Sequence, residues 1–180
     1  KQIVNWNQSL TAADGKSGLP QQLDFYSRFV RNNKERTVVI ISDALRYEVG
    51  RTLFEKIQAD EKCTATISAM QAVLPSYTRF GMAALLPHKE LTVEVRNDVL
   101  TVLADEQPTA STYRDKVLKS EDPASVALKY NDIIAMKRAE RSALVKGMDV
   151  VYIYHDTIDE ASHTSDTAVF VACEKTISEL

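Results

Sequence analysis

Two apolar, β-branched runs stand out along the chain, and acidic residues follow each of them. Thr37-Val-Val-Ile-Ile-Ser-Asp43 and Met148-Asp-Val-Val-Tyr-Ile-Tyr154 are typical of strands buried on both faces of a parallel sheet. Asp43 ends the first run, and Asp156 and Asp159 follow the second. Because ligands of such folds bind beyond the carboxyl ends of the strands, the pattern predicts a site where these acidic residues meet.

Helical periodicity separates these runs. Apolar residues recur at spacings of three and four in several segments, which predicts amphipathic helices over residues 19–33, 44–59, 79–86, 124–146 and 166–180. Gly147 follows the fourth segment and suits the position just after a helix end.

The remaining segments predict β-structure and loops. Residues 63–74 alternate small and β-branched side chains and predict a second strand, whereas 91–95 and 99–102 predict a hairpin across 96–98. Polar residues 104–124 predict a connecting loop with one helical turn near Tyr113. The fold class expected from these elements is α/β, a three-layer doubly wound and mainly parallel sheet with a small β-hairpin insertion.

This organisation gives an expected domain layout. Residues 1–36 form an N-terminal leader and helix, and 37–180 form one domain, or the first part of one, with an insertion at about 88–124. The chain does not begin with Met and ends within a predicted helix, so we expect it to be part of a longer domain.

Composition narrows the possible partners and compartment. Lys plus Arg number 22 against 25 Asp plus Glu, a net charge of −3, so no global basic field draws the chain to nucleic acid or an anionic membrane. No apolar run approaches the length of a membrane helix and no signal-peptide layout is present, so we expect a cytoplasmic protein without a membrane partner. Cys63 and Cys173 lie far apart without a Cys-x-x-Cys pattern, so we expect both to be plain buried thiols.

The residues after the buried runs suggest metal and phosphate chemistry. Asp159 and His163 are four residues apart, so on a helix they share a face and could bind one divalent cation, zinc or, with mostly oxygen ligands, manganese. Ser76 or Thr78, at the start of a short predicted helix, would lie near free backbone N–H groups and could act as a nucleophile beside a metal.

Simpler interpretations remain open for each of these residues. Asp43 could cap the helix that follows it, and Ser76 or Thr78 could cap the helix after Pro75. Asp159 and His163 could form an ordinary surface pair of side chains four residues apart.

Read in order, the clusters resemble a known family. The stretches are Val38-Val-Ile-Ile-Ser-Asp-Ala-Leu-Arg-Tyr-Glu48, Leu74-Pro-Ser-Tyr-Thr-Arg-Phe-Gly-Met-Ala-Ala-Leu-Leu-Pro87 and Val151-Tyr-Ile-Tyr-His-Asp-Thr-Ile-Asp159. They are similar to the PglZ domain of the alkaline phosphatase superfamily, which occurs in bacterial phage-exclusion (BREX) systems. The resemblance spans about residues 37–180.

The resemblance implies a role for particular residues. Asp43 corresponds to the first metal-binding aspartate of the superfamily. Pro75-Ser-Tyr-Thr78 is similar to the Pro-(Ser/Thr)-x-Thr motif, which implies that Thr78 is the nucleophile. Asp159 and His163 match the Asp-x-x-x-His pair that binds the other metal.

The implied function is metal-dependent hydrolysis of phosphomonoesters or phosphodiesters, nucleotides among them, with a zinc pair completed by ligands beyond Leu180. The chain alone is then expected to bind metal weakly and to have little activity. A second hypothesis is an inactive scaffold among other phage-defence proteins. A third, a Rossmann-like nucleotide binder, ranks last because no Gly-x-Gly-x-x-Gly follows the first strand.

Overall fold

A computed structural model describes residues 4, 5, 8, 18–96 and 98–180. The chain divides into two units, the first made of residues 1–32 and 68–110 and the second of residues 33–67 and 111–180. Most of the predicted leader, the part of the chain before residue 19, lies outside the described residues.

The regular elements are short. The strands are β1 (Thr37–Ser42), β2 (Leu91–Arg96), β3 (Val99–Ala104), β4 (Gln107–Pro108), β5 (Ser125–Lys129) and β6 (Val150–His155). The helices are α1 (Tyr47–Gln58), α2 (Thr78–Ala84), α3 (Arg114–Glu121), α4 (Tyr130–Ala135), α5 (Arg138–Val145), α6 (Thr157–Ser162) and α7 (Asp166–Glu179). A 3₁₀ turn over Gln22–Asp24 and a π-helical turn over Tyr26–Val30 precede them.

The second unit is built on a parallel sheet in the order β1-β6-β5. The middle strand, β6, is buried along most of its length, as its unbroken apolar run predicts. The core of the second unit consists of strand and helix side chains: Val39, Ile41, Val117, Leu118, Val126, Val150, Val151, Tyr152, Ile158 and Ala172. The α/β class expected from the sequence is thus confirmed.

The prediction that β1 is buried on both faces was wrong. Val39 and Ile41 are buried, but Val38 and Ile40 are 52% and 47% exposed. β1 pairs with β6 on one side, and within the described residues only one of its faces is covered. An apolar run therefore predicted the strand correctly but not the covering of both its faces.

The helix predicted over 124–146 is wrong in its first half. Residues Ser125–Lys129 form β5, which pairs in parallel with β6, and α4 and α5 follow as separate helices. The run Val126-Ala-Leu128 fits either period, and pairing with a buried strand decides between them. Gly147 does adopt the left-handed backbone conformation, with φ +77°.

The first unit contains the predicted hairpin. β2 and β3 pair in antiparallel fashion, and β4 adds to β3. The residue at the hairpin tip, Asn97, lies outside the described residues. The core of the unit is formed by Tyr26, Val30, Val73, Met82, Ala83, Ala84, Leu86, Val102, Leu103 and Ala104.

The connecting loop predicted over 104–124, with one helical turn near Tyr113, contains more regular structure than expected: a short strand, β4, and a full helix, α3, which begins next to Tyr113. Asp105 and Glu106 have positive φ and turn the chain so that β4 can pair with β3. Further on, Val117 and Leu118 bury one side of α3. With only these two apolar residues, α3 gives too weak a periodic signal to be distinguished from a polar loop.

Two other predictions of regular structure were wrong. The segment 63–74 is no strand: in the described chain it makes a single isolated bridge, between Gln71 and Gln21. The predicted helix over 19–33 is split into its 3₁₀ and π-helical turns. The Gln22 side chain there donates to the Gly81 carbonyl oxygen and accepts from the Val73 N–H.

The expectation that both cysteines are buried was also wrong, because Cys63 is exposed and Cys173 is half-buried.

No helix in the described part of the chain combines the length and apolarity that crossing a membrane requires.

Candidate functional site

The carboxyl ends of β1 and β6 lie side by side in the second unit. Ser42 is opposite His155 in the parallel register, and the Asp43 N–H donates to the His155 carbonyl oxygen at 2.8 Å. Asp43 and Asp156 each come one residue after this pair. Parallel pairing thus delivers two acidic residues to one sheet edge, as the sequence predicts.

A third carboxylate reaches the same edge from α6. Burial raises the pKa of Asp43 above its ordinary value, and the charge of Asp159 raises it further. Asp156 adds a smaller effect in the same direction, whereas the Ala44 N–H and Arg114 oppose it. We refer to Asp43, Asp156 and Asp159 as the acidic edge.

Arg114 is the positive charge beside the acidic edge, and the sequence did not reveal it. It is the first residue of α3, and its guanidinium carbon lies 4.2 Å from the centroid of the Tyr154 ring. Burial raises the pKa of Tyr154 to about 12 against the opposing effect of Arg114. Because Arg114 falls in a segment predicted as a loop, no local pattern signalled its proximity to Asp43.

Asp43 is not a helix cap, so that alternative was wrong. α1 begins at Tyr47 with Arg46 as its capping residue, three residues later than predicted. The Asp43 Oδ1 instead accepts from the N–H of Ala44, at 2.9 Å. Ala44 has φ +60°, a left-handed conformation that ends the strand in a turn and delays the helix.

Asp159 and His163 lie on one helix face, as their spacing predicts. The His163 Nε2 is 3.6 Å from the Asp159 Oδ2, at the C-terminal end of α6. The His163 side chain is 78% exposed. This geometry suits either a metal-binding pair or a solvated surface pair.

The donors at this edge have the right chemistry for a divalent cation, since carboxylate and imidazole groups bind zinc and manganese. Within residues 18–96 and 98–180, however, no three His, Cys, Asp or Glu side chains converge closely enough to hold a metal ion. The residues present therefore do not fit a complete metal centre by themselves.

Thr78 belongs to the first unit, whereas the acidic edge and His163 belong to the second. It is the first residue of α2, and the capping residue is Tyr77. The Tyr77 side chain forms no capping hydrogen bond. Because the capping position belongs to neither Ser76 nor Thr78, the prediction that one of their hydroxyls caps this helix was wrong. Both residues are exposed. The Thr78 hydroxyl lies at the protein surface.

Comparison with known proteins identifies related sequences. The family described as "BREX system PglZ alkaline phosphatase-like domain" matches residues 25–180. The chain is 38% identical over 189 residues to the alkaline phosphatase-like protein BrxZ of Escherichia coli O9:H4 (strain HS), an alignment that covers 98% of this chain and 22% of that protein. It is 37% identical over 186 residues to the alkaline phosphatase-like protein PglZ of Bacillus cereus (strain H3081.97), with the same coverage. The chain thus spans about a fifth of the length of these curated relatives.

Proposed function

The chain belongs to the BREX system PglZ alkaline phosphatase-like domain family, and we propose that it is part of a phosphoester hydrolase that acts in bacterial phage defence. Its substrates are phosphomonoesters or phosphodiesters, with nucleotides among the candidates. Its partners in this role are other phage-defence proteins in the cytoplasm. The observation that carries the proposal is the acidic edge.

The electrostatics of the acidic edge support a functional role. Burial raises the pKa of Asp43, and the negative charges of Asp159 and, to a smaller extent, Asp156 raise it further. Carboxyl groups with perturbed pKa values are concentrated at functional sites. Arg114 supplies a guanidinium group, which suits contact with phosphoryl oxygens.

We propose Thr78 as the nucleophile. Its oxygen would form a bond to phosphorus while the bond from phosphorus to the leaving oxygen breaks; the hydroxyl proton would pass to solvent and the leaving oxygen would take one up. Water would then hydrolyse the phosphate ester on threonine, which releases the phosphate or, from a phosphodiester, the phosphomonoester and regenerates the hydroxyl. The exposure of Thr78 and its freedom from a capping role support this proposal.

We further propose Asp43, Asp159 and His163 as ligands of a divalent metal, zinc or manganese. A metal at a phosphoryl-transfer site neutralises charge on the phosphoryl oxygens. Because the described residues do not complete a metal centre, the remaining ligands of a two-metal site would come from other parts of the longer protein.

Single substitutions in the full-length protein test this function with an internal control. Thr78→Ala should abolish hydrolysis of a chromogenic phosphodiester such as bis(4-nitrophenyl) phosphate, whereas Thr78→Ser should retain part of it. Ser76→Ala, two residues away in the same motif and equally exposed, should leave turnover unchanged. Unchanged turnover in Thr78→Ala would refute the assignment.

A second candidate function is that of a scaffold without catalysis. The Asp159–His163 pair, with its separation of 3.6 Å and its exposed histidine, favours it because surface helices commonly carry such pairs. In that case Asp43→Ala and Thr78→Ala would both preserve protection against phage. Substitution of exposed residues on α5, such as Arg138 and Arg141, would instead disrupt assembly with partner proteins.

A further inference from the structure

His155 is a buried polar residue at the end of β6, with hydrogen-bond partners on both sides of its ring. The residue is 1% exposed. The Nδ1 atom lies 2.9 Å from the Ser42 Oγ, and the Nε2 atom lies 2.9 Å from the Glu179 Oε2. The edge of the Tyr130 ring packs against the imidazole, with the centroids 4.8 Å apart. Both ring nitrogens are therefore used.

The Glu179 carboxylate fixes the direction of one of these hydrogen bonds. Burial acts to raise the pKa of Glu179, but hydrogen bonds from His155, Thr157 and Lys175 outweigh it and lower that pKa. The ionised carboxylate only accepts, so the Nε2 atom donates to it. The Nδ1 atom, on the other side of the ring, shares a hydrogen bond with the Ser42 hydroxyl, which can donate or accept.

These hydrogen bonds connect the chain segments that carry the acidic edge. Ser42 and His155 immediately precede Asp43 and Asp156 in the chain. The Glu179 Oε2 also accepts from the Thr157 Oγ1 at 3.1 Å, and Thr157 begins α6, the helix that carries Asp159. One carboxylate near the end of α7 is thus linked to all three acidic positions.

We propose that Ser42, His155 and Glu179 form a positioning network that fixes the spacing of the three carboxylates of the acidic edge. This inference rests on the proposed function, because it gives the network a purpose at the proposed active site. The network itself contacts no substrate. Buried hydrogen bonds are directional, so they hold the ends of β1, β6 and the start of α6 in one arrangement, which apolar packing does less specifically.

The kinetics of full-length variants test the network. Glu179→Ala leaves the buried Nε2–H without its acceptor, and we expect kcat to fall about tenfold or more, as loss of supporting hydrogen bonds around a site commonly does, with KM little changed. Glu179→Gln retains a carbonyl oxygen as acceptor and should recover most of that loss. Glu174→Ala, at an exposed position of the same helix, is the matched control and should leave kcat and KM unchanged.

Hydrogen exchange measured by mass spectrometry gives a second readout that needs no activity. In Glu179→Ala, exchange should become faster in peptides that contain Asp43, whose N–H donates to His155, and in peptides covering 155–160. Peptides from the β2–β3 hairpin should exchange at the wild-type rate, which separates local loosening from general destabilisation.

The outcomes distinguish failure of the network from failure of the proposed function. If Thr78→Ala is inactive but Glu179→Ala keeps wild-type kcat and KM, the function stands and the positioning network is refuted. If the wild-type protein hydrolyses no phosphoester, hydrogen exchange decides: faster exchange confined to the two peptide sets supports the network, and unchanged or uniformly faster exchange overturns it.

Discussion

The guanidinium group of Arg114 lies over the ring of Tyr154, with 4.2 Å between the guanidinium carbon and the ring centroid. The stacking fixes a positive charge near Asp43, where it offsets part of the repulsion from Asp159 and Asp156. The three carboxylates of the acidic edge are therefore partly balanced by the positive charge of Arg114 beside them.

Charge changes at this edge should shift the pKa of Asp43 in opposite directions. Arg114→Gln removes the lowering effect of the cation, so the pKa of Asp43 should rise further. Asp156→Asn removes a raising effect, so that pKa should fall. Carbon-13 NMR titration of labelled aspartate in EDTA-treated protein measures both. Shifts in the same direction for the two variants would contradict this arrangement of charges.

Repulsion between Asp43 and Asp159 should reduce stability at neutral pH. Burial and, after it, the charge of Asp159 raise the pKa of Asp43 in the folded state. Protonation of Asp43 therefore stabilises the fold: this contribution is fully present below the unfolded-state pKa and is lost as pH rises through the folded-state pKa. Asp159→Asn should then raise the free energy of unfolding at neutral pH by about 0.5 kcal/mol, a small effect because solvent screens these half-buried groups. The gain should vanish below about pH 4.

Urea denaturation at neutral and acidic pH measures this effect. Glu160→Gln, at the exposed neighbouring position on α6, is the charge-matched control and should change stability little at either pH. An equal gain for Asp159→Asn at both pH values would show that repulsion is not its cause.

Two glycines should respond in opposite ways to alanine. Gly147 has φ +77° and no atom within 4 Å of an added Cβ, so Gly147→Ala should destabilise through backbone strain alone, by about 1 kcal/mol. Gly50 lies within α1, where an added Cβ would meet the Leu45 Cδ2 at 3.8 Å, an ordinary contact. Gly50→Ala should therefore stabilise by up to about 1 kcal/mol. Thermal denaturation of the two variants compares them directly, and a change of the same sign in both would contradict this account.

The parallel sheet and its acidic edge could be predicted because their signals are local. Unbroken β-branched runs mark β1 and β6, and parallel pairing brings Asp43 and Asp156 together without further information. The hairpin of β2 and β3 was equally clear from its alternating pattern. The positive-φ turn at Ala44, which removes Asp43 from any capping role, left no such signal.

Features that depend on tertiary contacts could not be predicted. β5 has the composition of a short helix and becomes a strand only by pairing with β6. Arg114 approaches Asp43 because α3 packs near the end of the sheet, and Glu179 reaches His155 across 24 residues of sequence. Spacing along the chain reports periodicity, not such approaches.

We propose above that Asp43, Asp159 and His163 hold a metal in the full-length protein. Elemental analysis of purified full-length wild-type protein and Asp43→Asn, with Glu160→Gln as control, tests it most directly. We predict zinc or manganese at stoichiometric levels in the wild-type and control proteins and a marked loss in Asp43→Asn. Equal metal content in Asp43→Asn and wild type, or no metal in either, would contradict the claim.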